Sequence, residues 1–375
     1  MAIKVLHAYR TYFPDPPGGV QEAIRQIALA TKAKGIENTI YTLSPNPRPV
    51  VLKRPEGVVY RSKSWVAPVS CDIGGVHAYK LFRQLARAAD LLFYQFPWPF
   101  VDTLNVYGGM DRPKVLLFNS DIVRQRYLGA AYAPLMWRTL RSVDIIVATS
   151  PAYTKTSPVL SSPELRKKVR VIPLGIDEHT VEGGSDHGVY SRLGLEAGEP
   201  YFLFVGVLRY YKGLQYLIEA SKDVAAKIVI AGSGAESQNL VQQAADTGSR
   251  NILFAGQVTD AEKRALYEGA QAVVLPSHLR SEAFGMVLVE ASMYGKPMIS
   301  CEVGSGTSFV NNDGETGFVV EPASPLALTS AMNALLHDLS MRHEMGAAAR
   351  QRYERLFSGP ALGRAYAQLF DEVLS

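Results

Sequence analysis

Short apolar runs punctuate this chain, and most are followed by a stretch whose apolar residues recur every three or four positions. IKVLHA (3–8) is the first run; TIYTL (39–43), VVY (58–60), LLFYQF (91–96), KVLLF (114–118), DIIVATS (144–150) and VRVIPLG (169–175) follow. Short, almost wholly apolar runs predict strands buried on both faces. Between them, the segment from Val20 to Gly35, then HAYKLFRQLARAA (77–89) and APLMWRTLRSV (133–143), carry helical spacing. Residues 44–57 and 61–74 are richer in Pro, Gly and basic residues and read as loops. A second alternating set runs from YFLFVG (201–206) through KIVIAGSGAE (227–236), ILFAGQV (252–258), AVVLP (272–276) and MIS (298–300). Two amphipathic helices fill 325–375, broken at Phe357-Ser358-Gly359-Pro360. Alternation of this kind predicts doubly wound parallel sheets. The polar, glycine-rich residues 178–199 suit a linker. The predicted division is a first α/β domain at 1–185, a second at 199–356, and a closing helix at 357–375.

Length and composition agree. A chain of 375 residues, 47% apolar and 20% charged, holds two soluble domains of ordinary size. No apolar run approaches the eighteen residues of a spanning helix, and MAIKVLHAYR reads as a strand rather than a leader. Cys71 and Cys301 are far apart and read as idle thiols in a reducing compartment. Charge changes the picture more. Residues 1–182 carry 24 Lys and Arg against 14 Asp and Glu, whereas the remainder is net acidic. A basic first half expects an anionic partner, such as membrane headgroups or a lipid pyrophosphate. The basic residues are scattered and no recognition module is visible, so nucleic acid is not expected.

The chemistry concentrates in Pro276 to Met298. Glu282 falls in the loop after a strand, and Ala283-Phe284-Gly285-Met286 are expected to open a helix that Gly295 and Pro297 end. Glu290, with seven residues between it and Glu282, would lie two turns on and nearly on the same face. A helix N-terminus is an anion site, and Gly285 would let a ligand approach the backbone. One anionic part and several hydroxyls describe a nucleotide sugar.

The spacing and the SEAFG segment resemble the retaining GT-B glycosyltransferases of the GT4 kind. The resemblance implies two Rossmann-like domains facing a cleft. It also implies that Glu282 contacts the transferred sugar, that the amides of Phe284, Gly285 and Met286 hold sugar and phosphate, and that Glu290 grips the ribose. Val207 to Leu214 resembles the family's G-x-L-x-x-x-K-G loop, with Arg209 and Lys212 on the donor diphosphate. Fixed cations there stabilise the charge a departing diphosphate gains. By the same resemblance, Gly18-Gly19 form a loop near donor phosphate and acceptor, and the backbone at Val258 meets the base. Gly304-Ser305-Gly306-Thr307 form a further candidate loop.

Asn119-Ser120-Asp121-Ile122-Val123-Arg124-Gln125 resembles the H-S-D-I-V-x-Q segment of bacterial mannosyl- and rhamnosyltransferases of polysaccharide assembly. Asn119 replaces the histidine, so this position can orient a hydroxyl and cannot serve as a general base. Ser120 or Asp121 would serve equally as a helix N-cap, and Arg124 and Arg126 add basic character. Asp260-Ala261-Glu262 reads as the first turn of a helix after Thr259 rather than as a metal motif. His77, His179 and His187 read as surface residues.

The expectation is a metal-independent α-mannosyltransferase without cofactor. It takes GDP-mannose as donor and a lipid-linked O-antigen or similar lipopolysaccharide glycan as acceptor, in the cytoplasm at the inner face of the membrane. Two rivals stand beside it: another GT-B enzyme, such as a sugar-nucleotide epimerase or a phosphorylase, and a non-catalytic nucleotide-sugar or glycan-binding subunit. Asn119 argues against the epimerase, which needs proton-transfer groups around the sugar.

Overall fold

The computed structural model describes residues 2–15, 18–67, 72–108, 111–121, 126–181, 183–196 and 198–375. They divide into two compact units, 1–177 with 359–375, and 178–358.

The first unit is built on a sheet of β1 (Lys4–Tyr9), β2 (Glu37–Ser44), β3 (Val51–Arg54), β4 (Gly57–Val66), β5 (Ile73–Gly74), β6 (Leu91–Phe96), β7 (Lys114–Phe118), β8 (Ile145–Ala148) and β9 (Val169–Val171). The order is β3-β4-β2-β1-β6-β7-β8-β9, with β5 attached to β4. Neighbours are parallel except at β3–β4 and β4–β5. The helices are α1 (Gly19–Lys32), α2 (Val76–Ala88), α3 (Pro99–Tyr107), α4 (Arg126–Ser142) and α5 (Pro151–Thr156). Alternate residues of neighbouring strands (Leu6, Leu92, Leu116 and Ile146) join Phe82, Val101 and Leu140 from three helices in one core. On β6 the next side chain, Phe93, faces other rings, Tyr366 and Phe370.

Residues 44–57 and 61–74 are not simply loops, because β3, most of β4, and β5 lie within them. For β4 the reason is Arg61. It sits inside β4 and is almost wholly buried, its guanidinium donating to Ser44 Oγ (2.8 Å), to the Asn46 carbonyl (3.0 Å) and to Asp15 (3.3 Å). Partners so far along the chain leave no local signature.

The second unit holds β10 (Tyr201–Val205), β11 (Lys227–Ala231), β12 (Ile252–Gly256), β13 (Ala272–Leu275), β14 (Met298–Cys301) and β15 (Gly317–Val320), all parallel in the order β12-β11-β10-β13-β14-β15. Its helices are α6 (Gly188–Leu193), α7 (Leu214–Ala220), α8 (Ser237–Asp246), α9 (Asp260–Gly269), α10 (Met286–Met293), α11 (Thr307–Val310), α12 (Pro325–His337) and α13 (Leu339–Leu356). The last helix, α14 (Gly359–Leu374), belongs to the first unit and packs on α1.

The first unit ends at Asp177, earlier than 185, and much of the expected linker is structured. Arg350 pairs with Glu178, the Asp186 amide bonds the Ala261 carbonyl, and Arg192 pairs with Glu262. Helix α6 thereby lies on α9. Short helices with few apolar residues escape a periodicity argument.

Candidate active site

Connections leave β10 toward β11 on one side, while β13 lies on its other side. Ligands of open α/β sheets gather at such a reversal, outside the carboxyl ends of the strands. Two loops meet here. One runs from Gly206 past Arg209 through the tight turn Tyr210–Lys212 to α7; the other runs from Pro276 past Glu282 to α10. The His278 amide donates to the Tyr211 carbonyl at 3.0 Å. Gly213, at φ 71, lies so close to the second loop that an added Cβ would stand 2.0 Å from the Pro276 carbonyl oxygen. The rings of Tyr210 and Tyr216 stand edge-on to the His278 ring at 5.0 and 5.2 Å.

This clamp brings Lys212 and Glu282 together. Lys212 Nζ lies 2.5 Å from Glu282 Oε2, and Ser277 Oγ donates to the same oxygen at 3.0 Å. Both side chains are about nine-tenths buried. Among the described residues the second carboxylate oxygen and the remaining ammonium N–H groups meet no further hydrogen-bond partner, which leaves them for a ligand. Arg209 lies on the same loop with its side chain exposed.

Helix α10 begins later than expected. Its N-cap is Gly285, at φ 85 and ψ 60, and Met286 is its first residue. Ala283 and Phe284 precede it in the loop, so the eight positions from Glu282 to Glu290 are not two helical turns. Phe284 is buried with its ring edge-on to Phe357, and the Ala283 carbonyl accepts from the Gly306 amide. Gly285 is needed for its left-handed backbone and for the Leu275 and Leu288 methyls that would meet a Cβ at 3.1 Å. That is a packing reason, additional to the expected approach of a ligand to the backbone. No side chain caps this helix, which leaves its first amides as anion donors.

Glu290 has its own partners. Tyr267 donates to Oε2 at 2.7 Å and Lys263 Nζ lies 3.2 Å from Oε1, both from one face of α9. Burial, with Glu290 beside it, holds the Tyr267 phenol well above its usual pKa, so it remains a donor. Val258 is half-buried, just before Thr259, which closes a capping box with Glu262 at the start of α9. Asp260 and Glu262 thus lie in the first turn of α9, as expected, and Glu262 is further held by Arg192. Gly232 and Gly234 pack on the backbone of Gly206 and Leu208, and Gly306 packs on Phe284. Gly232, Gly234 and Gly306 each therefore have an interior packing reason to be glycine.

In the first unit, Gly18 is the extended N-cap of α1 and Gly19 its first residue, with no side-chain cap. Asn119, just past β7, donates from Nδ2 to Gln95 Oε1 at 3.2 Å, the Phe96 carbonyl at 3.1 Å and the Leu117 carbonyl at 3.4 Å. Asp121 accepts from Ser157 Oγ at 2.6 Å and from Tyr153 at 3.1 Å. Residues 122–125, with Arg124, lie outside the described residues, as does Cys71. Cys301 is buried, which pushes its thiol up to about 12.

Sequence reasoning singled out Glu282, Lys212 and Glu290 but missed Ser277, Lys263, Tyr267 and Gln95, which hold site residues. The i, i+4 spacing of Lys263 and Tyr267 on an amphipathic helix was a usable signal; for Gln95, inside an apolar run, there was none.

Residues 17–180 match the model described as Glycosyltransferase Family 4, and 191–352 match Glycosyl transferases group 1. The chain is 44% identical over 359 residues to the D-rhamnosyltransferase WbpZ of Pseudomonas aeruginosa, covering 95% of this chain and 92% of the relative. It is 36% identical to the O-antigen chain mannosyltransferase C of Escherichia coli, over 99% of both. Among solved structures, the sucrose-phosphate synthase of Thermosynechococcus elongatus superposes with a TM-score of 0.79 at 21% identity, over 99% of both chains.

Proposed function

Because this chain belongs to the GT4 glycosyltransferases of GT-B fold, we propose that it moves mannose from GDP-mannose onto a lipid-linked glycan, with retention of configuration, in O-antigen assembly. The observation that carries this reading is the Lys212–Glu282 pair beside the uncapped start of α10. Lys212, Arg209 and the amides of Phe284, Gly285 and Met286 receive the diphosphate and sugar. The free oxygen of Glu282 takes sugar hydroxyls, Glu290 takes the ribose diol, and the backbone at Val258 meets the base. To the first unit we assign the acceptor, with Gly18 and Gly19 serving phosphate and acceptor and Asn119 orienting a sugar hydroxyl.

As the C1–O bond to phosphate breaks, charge grows on the diphosphate, and the two cations and helix dipole stabilise it most in the transition state. The acceptor hydroxyl forms the new C1–O bond on the same face and gives its proton to the leaving phosphate oxygen. No carboxylate nucleophile, metal or cofactor has a part in this scheme.

The acceptor implies a membrane surface, and the first unit offers one. Trp65, Val66, Ile73 and Val76 are exposed together where β4, β5 and α2 meet. His77, Lys80, Arg83 and Arg87 line the exposed side of α2 next to them. Exposed apolar groups beside cations suit an anionic lipid interface. Among the described residues no helix is long and apolar enough to cross a membrane.

A second reading concerns the sugar. The rhamnosyltransferase relative favours D-rhamnose, which is mannose without its 6-hydroxyl. Incubation with GDP-mannose, GDP-D-rhamnose and UDP-sugars, with and without a lipid-linked acceptor, tests both. Transfer only from a uridine donor overturns the guanosine assignment. Binding without transfer across the panel, acceptor included, returns the chain to a binding subunit.

A further inference from the structure

The orientation of Asn119 is set by what lies beneath it. Its Nδ2 faces three acceptors, and two of them are the backbone carbonyls of Phe96 and Leu117. Carbonyls only accept, so the amide nitrogen points inward and Oδ1 turns away from them. Among the described residues no donor meets Oδ1.

The third acceptor is unusual. Gln95 is wholly buried, and it turns its carbonyl toward Asn119 at the expense of its own Nε2, which has no acceptor among the described residues. Burying an unmatched donor opposes folding, so stability alone would place an apolar side chain at 95. An unmatched buried amide requires another reason. Two residues beyond Asn119, Asp121 is fixed by Tyr153 and Ser157, so the segment is held at both ends.

We propose that Gln95 is a positioning residue: it locks the Asn119 carboxamide so that Oδ1 is a fixed hydrogen-bond acceptor for a substrate sugar hydroxyl. The proposal rests on the glycosyl-transfer reading above. A neutral imidazole at 119 could do the same work, with one N–H inward and a lone pair outward, until protonation removed the lone pair. The carboxamide has no such limit, so orientation by Asn119 does not change between pH 5 and 9.

The test uses the full chain with whichever nucleotide sugar and acceptor it turns over. Gln95→Met removes both ends of the amide at similar volume. Its kcat falls roughly five- to tenfold, the worth of one neutral hydrogen bond, while its thermal midpoint stays level or rises. In an Asn119→Leu background, Gln95→Met lowers kcat no further, because Gln95 acts only through Asn119. Asn119→His retains transfer and acquires an acid limb near pH 6.5, the ordinary histidine range. Additive losses in the double variant, a wild-type kcat in Gln95→Met, or a midpoint drop that accounts for the lost rate each overturn the proposal. Failure of the wild-type chain to transfer from any donor would strike the underlying reading instead, and is visible without a variant.

Discussion

Lys212 Nζ and Glu282 Oε2 lie 2.5 Å apart in the second unit, although 70 residues separate them in the chain. Two strands with an inverted order of connection make that contact: one delivers the cation, the neighbouring one the carboxylate. Removing one member of a largely buried pair leaves the other charge uncompensated. Lys212→Met therefore loses about 3 kcal/mol of stability and at least about a hundredfold in kcat. Adding Glu282→Leu restores the stability and none of the activity. Urea midpoints and initial rates on the two variants separate these effects. Full turnover in Lys212→Met would remove Lys212 from the diphosphate site.

Glu290 answers to a different measurement. Tyr267 and Lys263 hold it in place, so Glu290→Gln leaves the fold intact and weakens the proposed ribose contact. The expected result is a donor KM raised about ten- to a hundredfold, matching the 1.5–3 kcal/mol of hydrogen bonds to a charged group, with kcat nearly unchanged. A kcat defect at constant KM would move Glu290 from binding to chemistry.

Two glycines should rank by what they touch. A Cβ at Gly213 meets the Pro276 carbonyl, which is backbone and cannot yield, whereas at Gly285 it meets methyl ends at 3.1 Å. Both positions also carry positive φ. Gly285→Ala loses about 2 kcal/mol, and Gly213→Ala loses more and fails to bind donor because its loop separates from the Glu282 loop. Equal denaturation midpoints for the two variants would contradict this order.

Acid stability of the first unit reflects two opposed groups. Burial lowers the His7 pKa to about 4, against a normal 6.5, despite its bond to Asn38. The unfolded chain then binds the extra proton, so this contribution is lost as pH falls from 6.5 to 4. Burial raises the Asp102 carboxyl to about 7 from 3.8, despite the Tyr132 hydroxyl bonded to it. Here the folded chain binds the proton, and stability is lost as pH rises from 3.8 to 7. Between pH 4 and 6.5 the two slopes oppose each other. Asp102→Asn should become more stable as pH rises through that window, and His7→Leu less stable. Urea midpoints at pH 4.5, 5.5 and 6.5 check both signs.

Trp65→Ser combined with Val66→Ser should abolish most co-sedimentation with anionic vesicles while leaving turnover of a detergent-soluble acceptor intact. Binding of the wild type should weaken as salt rises, because Lys80, Arg83 and Arg87 act through screened attraction. Equal binding to neutral and anionic vesicles would eliminate this role for α2.

Parts of this molecule were legible in the sequence for simple reasons. LLFYQF and KVLLF are apolar on both faces, so β6 and β7 announce themselves, and Glu282 and Glu290 stand out on either side of a helix start. The first residues of β4 were legible as VVY, but its continuation from Arg61 was hidden because Arg61 is satisfied by Asp15 and Ser44, partners no local pattern connects. The start of α10 was misplaced because Phe284 looks helical but is pinned by Phe357 and Gly306. The support of Asn119 by Gln95 needed the register of β6 against β7, which pairs Gln95 with Leu117.

Helix α14 gives this chain an order of assembly. Residues 178–358 leave the ribosome before 359–374 do, yet Tyr366 and Phe370 cover Phe93 in the unit whose synthesis began first. The earliest-made half is consequently the last to be sealed, and a nascent chain stopped at 358 carries an uncovered aromatic face however well its second half has folded.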